Sequence, residues 1–164
     1  MPTILRLIPL GAALLFGCSA PQSPPAPAAP PLGPVVNVRQ LMVWIVDPAA
    51  DVIWGSVKTI ITEAGTKEIA PHTDEEWDAV RNSAAMVAES GNLLMMEGRA
   101  RDGEEWMTAA RGLIAAAGRA LKAAEARKVD ALFTAGGDVY DACSACHRRY
   151  APGLQDPSPD KPAK

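Results

Sequence analysis

The chain has 164 residues, enough for one domain plus tails. Hydrophobic residues make up 48% of it, so a packed core is within reach, yet Phe, Tyr and Trp together reach only 5%. The formal charge is −3, with no basic stretch suited to a phosphate backbone, which excludes nucleic acid as the expected partner.

The N-terminus reads "MPTILRLIPLGAALLFGCSA". Arg6 is a short positive region, and Leu7 to Gly17 is an apolar run of eleven residues. That is shorter than the roughly 20 residues needed to span a bilayer and fits a signal-peptide core. The run ends in "LFGC", which resembles the lipobox of bacterial lipoproteins. The resemblance implies a signal peptide over residues 1–17 and a lipid on Cys18, the first mature residue. An ordinary signal peptide cleaved near Ala20 is the alternative. Both readings export the domain. The lipid would hold it at a membrane on the periplasmic side, and Ser19 after Cys18 favours the outer membrane.

Residues 18–35 carry seven prolines between Pro21 and Pro34. Such a stretch favours extended polyproline II. At about 3.1 Å per residue it is a tether of up to roughly 50 Å. A second Pro-rich tail, residues 151–164, lacks apolar periodicity and is expected to stay out of the core.

Residues 36–150 read as wholly helical, because no segment alternates with period two and no Asn-Gly or Asp-Gly pair links apolar runs. The first segment, "VNVRQLMVWIVDPAADVIWGSVKTIITEAG", puts Val38, Leu41, Met42, Ile45, Ala49, Val52 and Ile53 on one face. Asp47-Pro48 interrupts it, which predicts a kink or a restart with Asp47 as cap, and Gly65 closes it. The second segment opens on a capping box, Thr73 and Glu76, and runs to about Met95, burying Trp77, Val80, Ala84, Val87 and Leu94. His72 beside this cap is expected to be solvated. The third segment, "EEWMTAARGLIAAAGRALKAAEAR", is rich in Ala, the best helix former. Across the chain Ala is abundant, and small side chains on helices let helices approach closely or leave room for something large that is not protein. The fourth, "VDALFTAGGDVYDACSACHRRY", ends before Pro152-Gly153. The fold class is therefore all-α, with an antiparallel four-helix bundle the simplest architecture and a three-helix bundle with a loose first segment the alternative. Trp44, Trp54, Trp77 and Trp106 are expected in the core or in pocket walls. Gly136-Gly137 inside a helix implies either close packing or a kink.

On the last helix, "CSACH" places Cys143 and Cys146 at i and i+3, with His147 at i+4 from Cys143, so all three project from one face. C-x-x-C-H is the attachment signature of c-type haem. Two thiols can bond the two vinyl groups of haem c while the imidazole reaches the iron. A structural zinc needs four ligands, and the remaining Cys and His are Cys18 and His72. A thioredoxin-like pair would sit beside a βαβ pattern, which is absent. A plain disulfide leaves His147 unexplained.

With its haem motif on the last of four helices, the chain resembles the class II cytochromes c, the cytochrome c prime group. "ALFTAGGDVYDACSACHRRY" and "VRQLM" carry the resemblance, which extends loosely over residues 36–150. It implies thioethers at Cys143 and Cys146, His147 as proximal iron ligand, and the haem between the first and last helices. It further implies Met42 as distal ligand and Arg39 beside a propionate, with Arg148 or Arg149 balancing haem charge. Asp47-Pro48 departs from the family's smooth first helix. For Met42, ordinary core packing is the alternative.

No carboxylate pair, Ser-His-Asp set or phosphate loop suggests enzymatic chemistry. The expected function is an electron carrier that docks redox partner proteins, with homodimerisation through the first two helices implied by the family. The alternatives are a five-coordinate haem protein that binds NO or CO, and a haem-free helical lipoprotein with a disulfide.

Overall fold

The computed structural model describes residues 33–154. The expected signal peptide, the lipidation site Cys18, most of the tether and most of the C-terminal tail lie outside the described residues. The chain divides into two units, Met1–Pro31 and Leu32–Lys164, and the description concerns the second.

The described residues are mostly helical, with one small two-stranded sheet. A first helix runs from α1 (Val38–Leu41) through a π turn (Met42–Val46) into α2 (Asp47–Ser56). A hairpin follows, β1 (Lys58–Thr62) and β2 (Gly65–Ile69), and then α3 (Asp74–Leu94), α4 (Glu104–Glu125) and α5 (Val129–Tyr150). Helix α3 packs on α2 and α4, and α5 packs on α4 and returns to α2. Among the described residues, no helix is long and apolar enough to cross a membrane.

The capping box that opens α3 is formed. The Thr73 hydroxyl accepts the Glu76 N–H at 3.2 Å, and the Glu76 carboxylate accepts the N–H groups of His72 and Thr73 at 2.6 and 3.1 Å. Those backbone donors hold the Glu76 carboxyl below the ordinary carboxylate range. Trp77, Val80, Ala84, Val87 and Leu94 are all buried, as the helical period requires. Helix α4 contributes a nearly continuous alanine face, with Ala110, Ala116, Ala117, Ala120, Ala123 and Ala124 buried between its neighbours. It ends in a Schellman turn: Lys128 N–H donates to Ala123 O at 2.9 Å and Arg127 N–H to Ala124 O at 3.1 Å. The left-handed position of that turn is held by Arg127, at φ 51.

The first helix corrects the expectation at Asp47. Asp47 is itself helical and caps nothing; its N–H reaches back five residues to the Met42 carbonyl. Proline at 48 has no N–H to give and its ring would clash with the carbonyl four residues earlier. The widened π turn accommodates it without breaking the rod. The cap of this helix is instead Asn37, which forms a reciprocal box with Gln40 at 2.9 and 3.0 Å. The spacing of Asn37 and Gln40 in "VNVRQ" is the signal that could have found it.

The π turn also explains why the buried face departs from the expected one. One extra residue in a turn advances the helix phase by about 100°. Leu41, Ala49 and Ile53 are buried as expected and Val38, Met42 and Ile45 pack half-buried against the core, but Val46 and Ala50 join the buried stripe and Val52 is exposed. Trp44, expected in the core or a pocket wall, is 60% exposed at the bulge.

The expectation of an unbroken helix to Gly65 is also overturned. Lys58–Thr62 pairs antiparallel with Gly65–Ile69, Thr62 facing Gly65 across a two-residue loop. Gly65 adopts φ 128, where a side chain is disfavoured. The run "VKTIIT" is rich in β-branched residues, which favour strands. Period-two alternation is missing because nearly every residue of both strands is exposed on both faces, so no buried face imposes it.

Candidate functional site

Helix α5 runs unbroken from Val129 to Tyr150, so Gly136-Gly137 is not a kink. Gly136 is buried against the first helix: its carbonyl accepts the Trp54 indole N–H at 3.0 Å. Gly137 faces open space.

The helical spacing of Cys143, Cys146 and His147 brings all three to the wall of one cavity of about 830 Å³. The first helix faces them with Met42, Val43, Val46, Asp47, Ala50 and Trp54. Helix α4 closes the cavity with Trp106, Ala109, Ala110 and Leu113, and Leu94 comes from the end of α3. Short alanine side chains on α2, α4 and α5 therefore leave the space, and large apolar and aromatic ones bound it. A volume of this size lies in the upper part of the range of about 300–1,000 Å³ typical for small-molecule sites.

Both thiols are free and half-buried. Burial, reinforced by the neighbouring charges of Cys146 and Asp47, pushes the Cys143 thiol up to about 11. Burial pushes Cys146 up as well. Redox-active C-x-x-C pairs are shifted in the opposite direction, towards the thiolate. Both thiols are thus held in their neutral form by a largely apolar wall. Among the described residues, no three His, Cys, Asp or Glu side chains converge as a metal-binding cluster.

Of the other residues read from sequence, Met42 is half-buried and lines the cavity. Arg39 is exposed and stands outside the lining. Arg148 lines the rim, whereas Arg149 is bound by Asp102 at 3.0 Å and by Glu105. Tyr150 also donates to Asp102, and its ring meets Trp106 edge-on with centroids 4.8 Å apart. The C-terminal end of α5 is thereby tied to the start of α4 beside the cavity.

Sequence reasoning missed the contribution of α4 and the two carboxylates, Asp47 and Asp141, that line the cavity. It also missed Arg99, which is 5% exposed. Its guanidinium donates to Val36 O at 3.1 Å and Leu93 O at 3.0 Å, fastening the start of the first helix to the end of α3. The alanine run of α4 was the available signal for the cavity wall; nothing in "GRARDG" singles out Arg99.

Compared with family profiles, with curated proteins and with solved structures, the chain matches none.

Proposed function

We propose that the chain is a membrane-tethered c-type cytochrome that carries electrons, with haem c joined to Cys143 and Cys146 and its iron held by His147. The observation that carries this reading is the cavity, which gathers both thiols and the imidazole on one wall of an apolar space of about 830 Å³. The residues fit the group in kind. The thiols are free, the opposing wall offers Met42, and Arg148 supplies a positive charge at the rim. In this reading the helices form an antiparallel four-helix bundle of the class II cytochrome type.

Haem c, when bound, supplies a one-electron iron couple. The chain does the rest. Cys143 and Cys146, one turn apart, would anchor the group covalently to α5. His147 would hold its iron through an imidazole nitrogen. Met42 could offer a thioether from the opposing wall, a ligand pair that would raise the potential. Trp54, Trp106, Leu94 and Leu113 would keep the site apolar and shielded from water. Val43, 53% exposed on the cavity wall, leaves an apolar opening where a redox partner can approach. A lipid on Cys18 and the Pro-rich tether would let the domain move between partners on the periplasmic side of a membrane.

The test is export of the chain with haem-maturation machinery, followed by a pyridine haemochrome assay and a visible spectrum. We expect one covalent haem per chain and a low-spin spectrum that turns high-spin on Met42→Ala. A wild-type spectrum that is already high-spin, with ready CO binding, replaces the carrier by the five-coordinate gas-binding reading. Absence of covalent haem removes both.

A further inference from the structure

We propose that the hairpin pairs two copies of this chain. Strand β1 of one copy binds β1 of the other, antiparallel about Ile60, and the two hairpins become one four-stranded sheet. Haem binding plays no part in this pairing, which would survive the failure of the haem reading.

Both strands of the hairpin are edges, since β1 and β2 form a two-stranded sheet with no third strand among the described residues. Every residue of β1 is exposed, Ile61 by 78%, and in β2 Ile69 alone is partly covered. The helices pack on one another rather than on either strand. A lone hairpin is marginal in water, and it gains stability from further strands or from a helix packed on it. Strand β1 reads "KTIIT", in which all but the lysine are Thr or Ile, residues that favour strands.

The register fixes which backbone groups face outwards. Thr62 and Gly65 close a two-residue loop and are the hydrogen-bonded pair of that turn, and such pairs alternate along an antiparallel ladder. Ile60 with Lys67 and Lys58 with Ile69 are the next hydrogen-bonded pairs. Thr59 and Ile61 therefore turn their N–H and C=O groups away from β2, and Thr66 and Glu68 turn theirs away from β1. Among the described residues, no other backbone group bonds to the outward groups of Thr59 and Ile61.

The middle residue of each strand decides between the two edges. A two-fold pairing that uses the whole of β1 sets Ile60 against its own counterpart. Thr59 then faces the counterpart of Ile61, and Lys58 the counterpart of Thr62. Two hydrogen-bonded pairs form, each exchanging two bonds, and the Ile60 pair lies between them in the position where side chains are closest. No charge faces its like, and the contact is isologous, so it closes at two copies. The same pairing through β2 sets Lys67 against its counterpart, and like charges directly opposite destabilise a sheet. A central lysine thus guards β2, a common protection of edge strands. In β1 the lysine stands at the end of the strand and leaves the centre open. A five-residue strand on each side is small beside a standard interface, so the pair is weak and reversible.

The test uses the full chain, with sedimentation equilibrium across a concentration series and amide hydrogen exchange of wild type at its two ends. We expect a monomer–dimer equilibrium that stops at two copies. The Thr59 and Ile61 amides should exchange severalfold more slowly in the dimer, and those of Thr66 and Glu68 should not change. Ile60→Glu should abolish the dimer, since it sets like charges opposite each other at the axis while facing Lys67 within its own hairpin. Ile61→Pro should do the same, because it removes an outward N–H and spares the ladder to β2. Lys67→Ile should open β2 and carry assembly past two copies. The cross-strand Hα contact between Thr59 and Glu68 marks the hairpin itself and should persist in all three variants. The exchange measurement is made on wild type, so it decides even where a variant loses the hairpin. A wild type that stays monomeric overturns the inference. So does one that assembles past two copies, or one that dimerises with Thr59 and Ile61 exchange unchanged. A dimer that survives both Ile60→Glu and Ile61→Pro overturns it as well, and assigns the contact to helix faces instead.

Discussion

Trp54 and Gly136, 82 residues apart in the chain, are joined by the indole N–H of the first donating to the carbonyl of the second at 3.0 Å. A carbonyl has two lone pairs, so Gly136 can serve the α5 ladder and the indole together. The Trp54 ring also meets Tyr140 edge-on, with centroids 6.2 Å apart. This contact fastens the first helix to α5 at one end of the cavity, while Trp106 and Tyr150 fasten α4 to α5 at the other.

Trp54→Phe removes the donor and part of the ring while keeping an aromatic in place. The lost hydrogen bond is worth about 1 kcal/mol, and the lost volume adds to it. We expect the haem-free domain to lose roughly 1–3 kcal/mol, measured by urea unfolding at constant m. An unchanged midpoint would show that the indole contact contributes nothing to holding the two helices together.

Three glycines on helices should respond in opposite directions. At Gly91 a methyl would overlap the Ile114 side chain and stand 3.0 Å from the Ala110 carbonyl oxygen, so α3 and α4 could not keep their approach. Gly91→Ala is expected to destabilise by about 1–3 kcal/mol. At Gly136 a methyl would make ordinary contact with Trp54 at 3.6 Å, and at Gly137 it would meet nothing within 4 Å. Gly137→Ala should therefore stabilise the haem-free domain by up to about 1 kcal/mol through helix propensity alone. Thermal unfolding of the three single variants decides the ordering, with Gly91→Ala the lowest and Gly137→Ala above wild type.

The contrast between legible and illegible elements follows from burial. Helices α3, α4 and α5 each have a buried face, and their apolar residues recur at helical spacing because of it. The hairpin has none, so its strands carry no alternation, and only the β-branched run and Gly65 hint at it. The π turn is harder still. It reads as a normal amphipathic helix on either side, and the one-residue phase change between Leu41 and Val46 shows only once their burial is known. At the site, Cys143, Cys146 and His147 were legible because a single helix brings them together. The opposing wall needed the tertiary fold.

Arg99 carries the next prediction. Its charge is buried and is met by the carbonyls of Val36 and Leu93 and by the Met96 sulfur at 3.5 Å. The Trp106 indole caps the adjacent carbonyl, Leu94, at 2.7 Å. Helix α3 thus ends with two carbonyls satisfied by side chains, and the negative end of its dipole faces a guanidinium. Arg99→Ala leaves a cavity and carbonyls without their donor, and is expected to cost about 2–4 kcal/mol. Arg99→Lys should recover only part of this, because an ammonium cannot reproduce the fork that spans Val36 and Leu93. Equal stability of the lysine variant and wild type would mean that charge, not geometry, holds the α3 terminus.

The cysteines give a pH-dependent prediction for the haem-free protein. Cys143 titrates at about 11 in the fold, against about 8.5 for an unperturbed thiol. Alkylating reagents attack the thiolate. At pH 8 the folded chain should therefore label at Cys143 some hundredfold more slowly than in urea, with the rate rising about tenfold per pH unit towards 11. The same shift affects stability. The fold favours the protonated thiol, so its contribution is fully present below about 8.5 and is lost as the pH rises from there through about 11. Peptide mapping after timed iodoacetamide treatment, folded and unfolded, measures the first effect, and urea midpoints between pH 8 and pH 10 measure the second. Equal labelling of Cys143 in folded and unfolded chains would show that the thiol is not held in an apolar wall, and would remove the cavity geometry on which haem attachment has been argued.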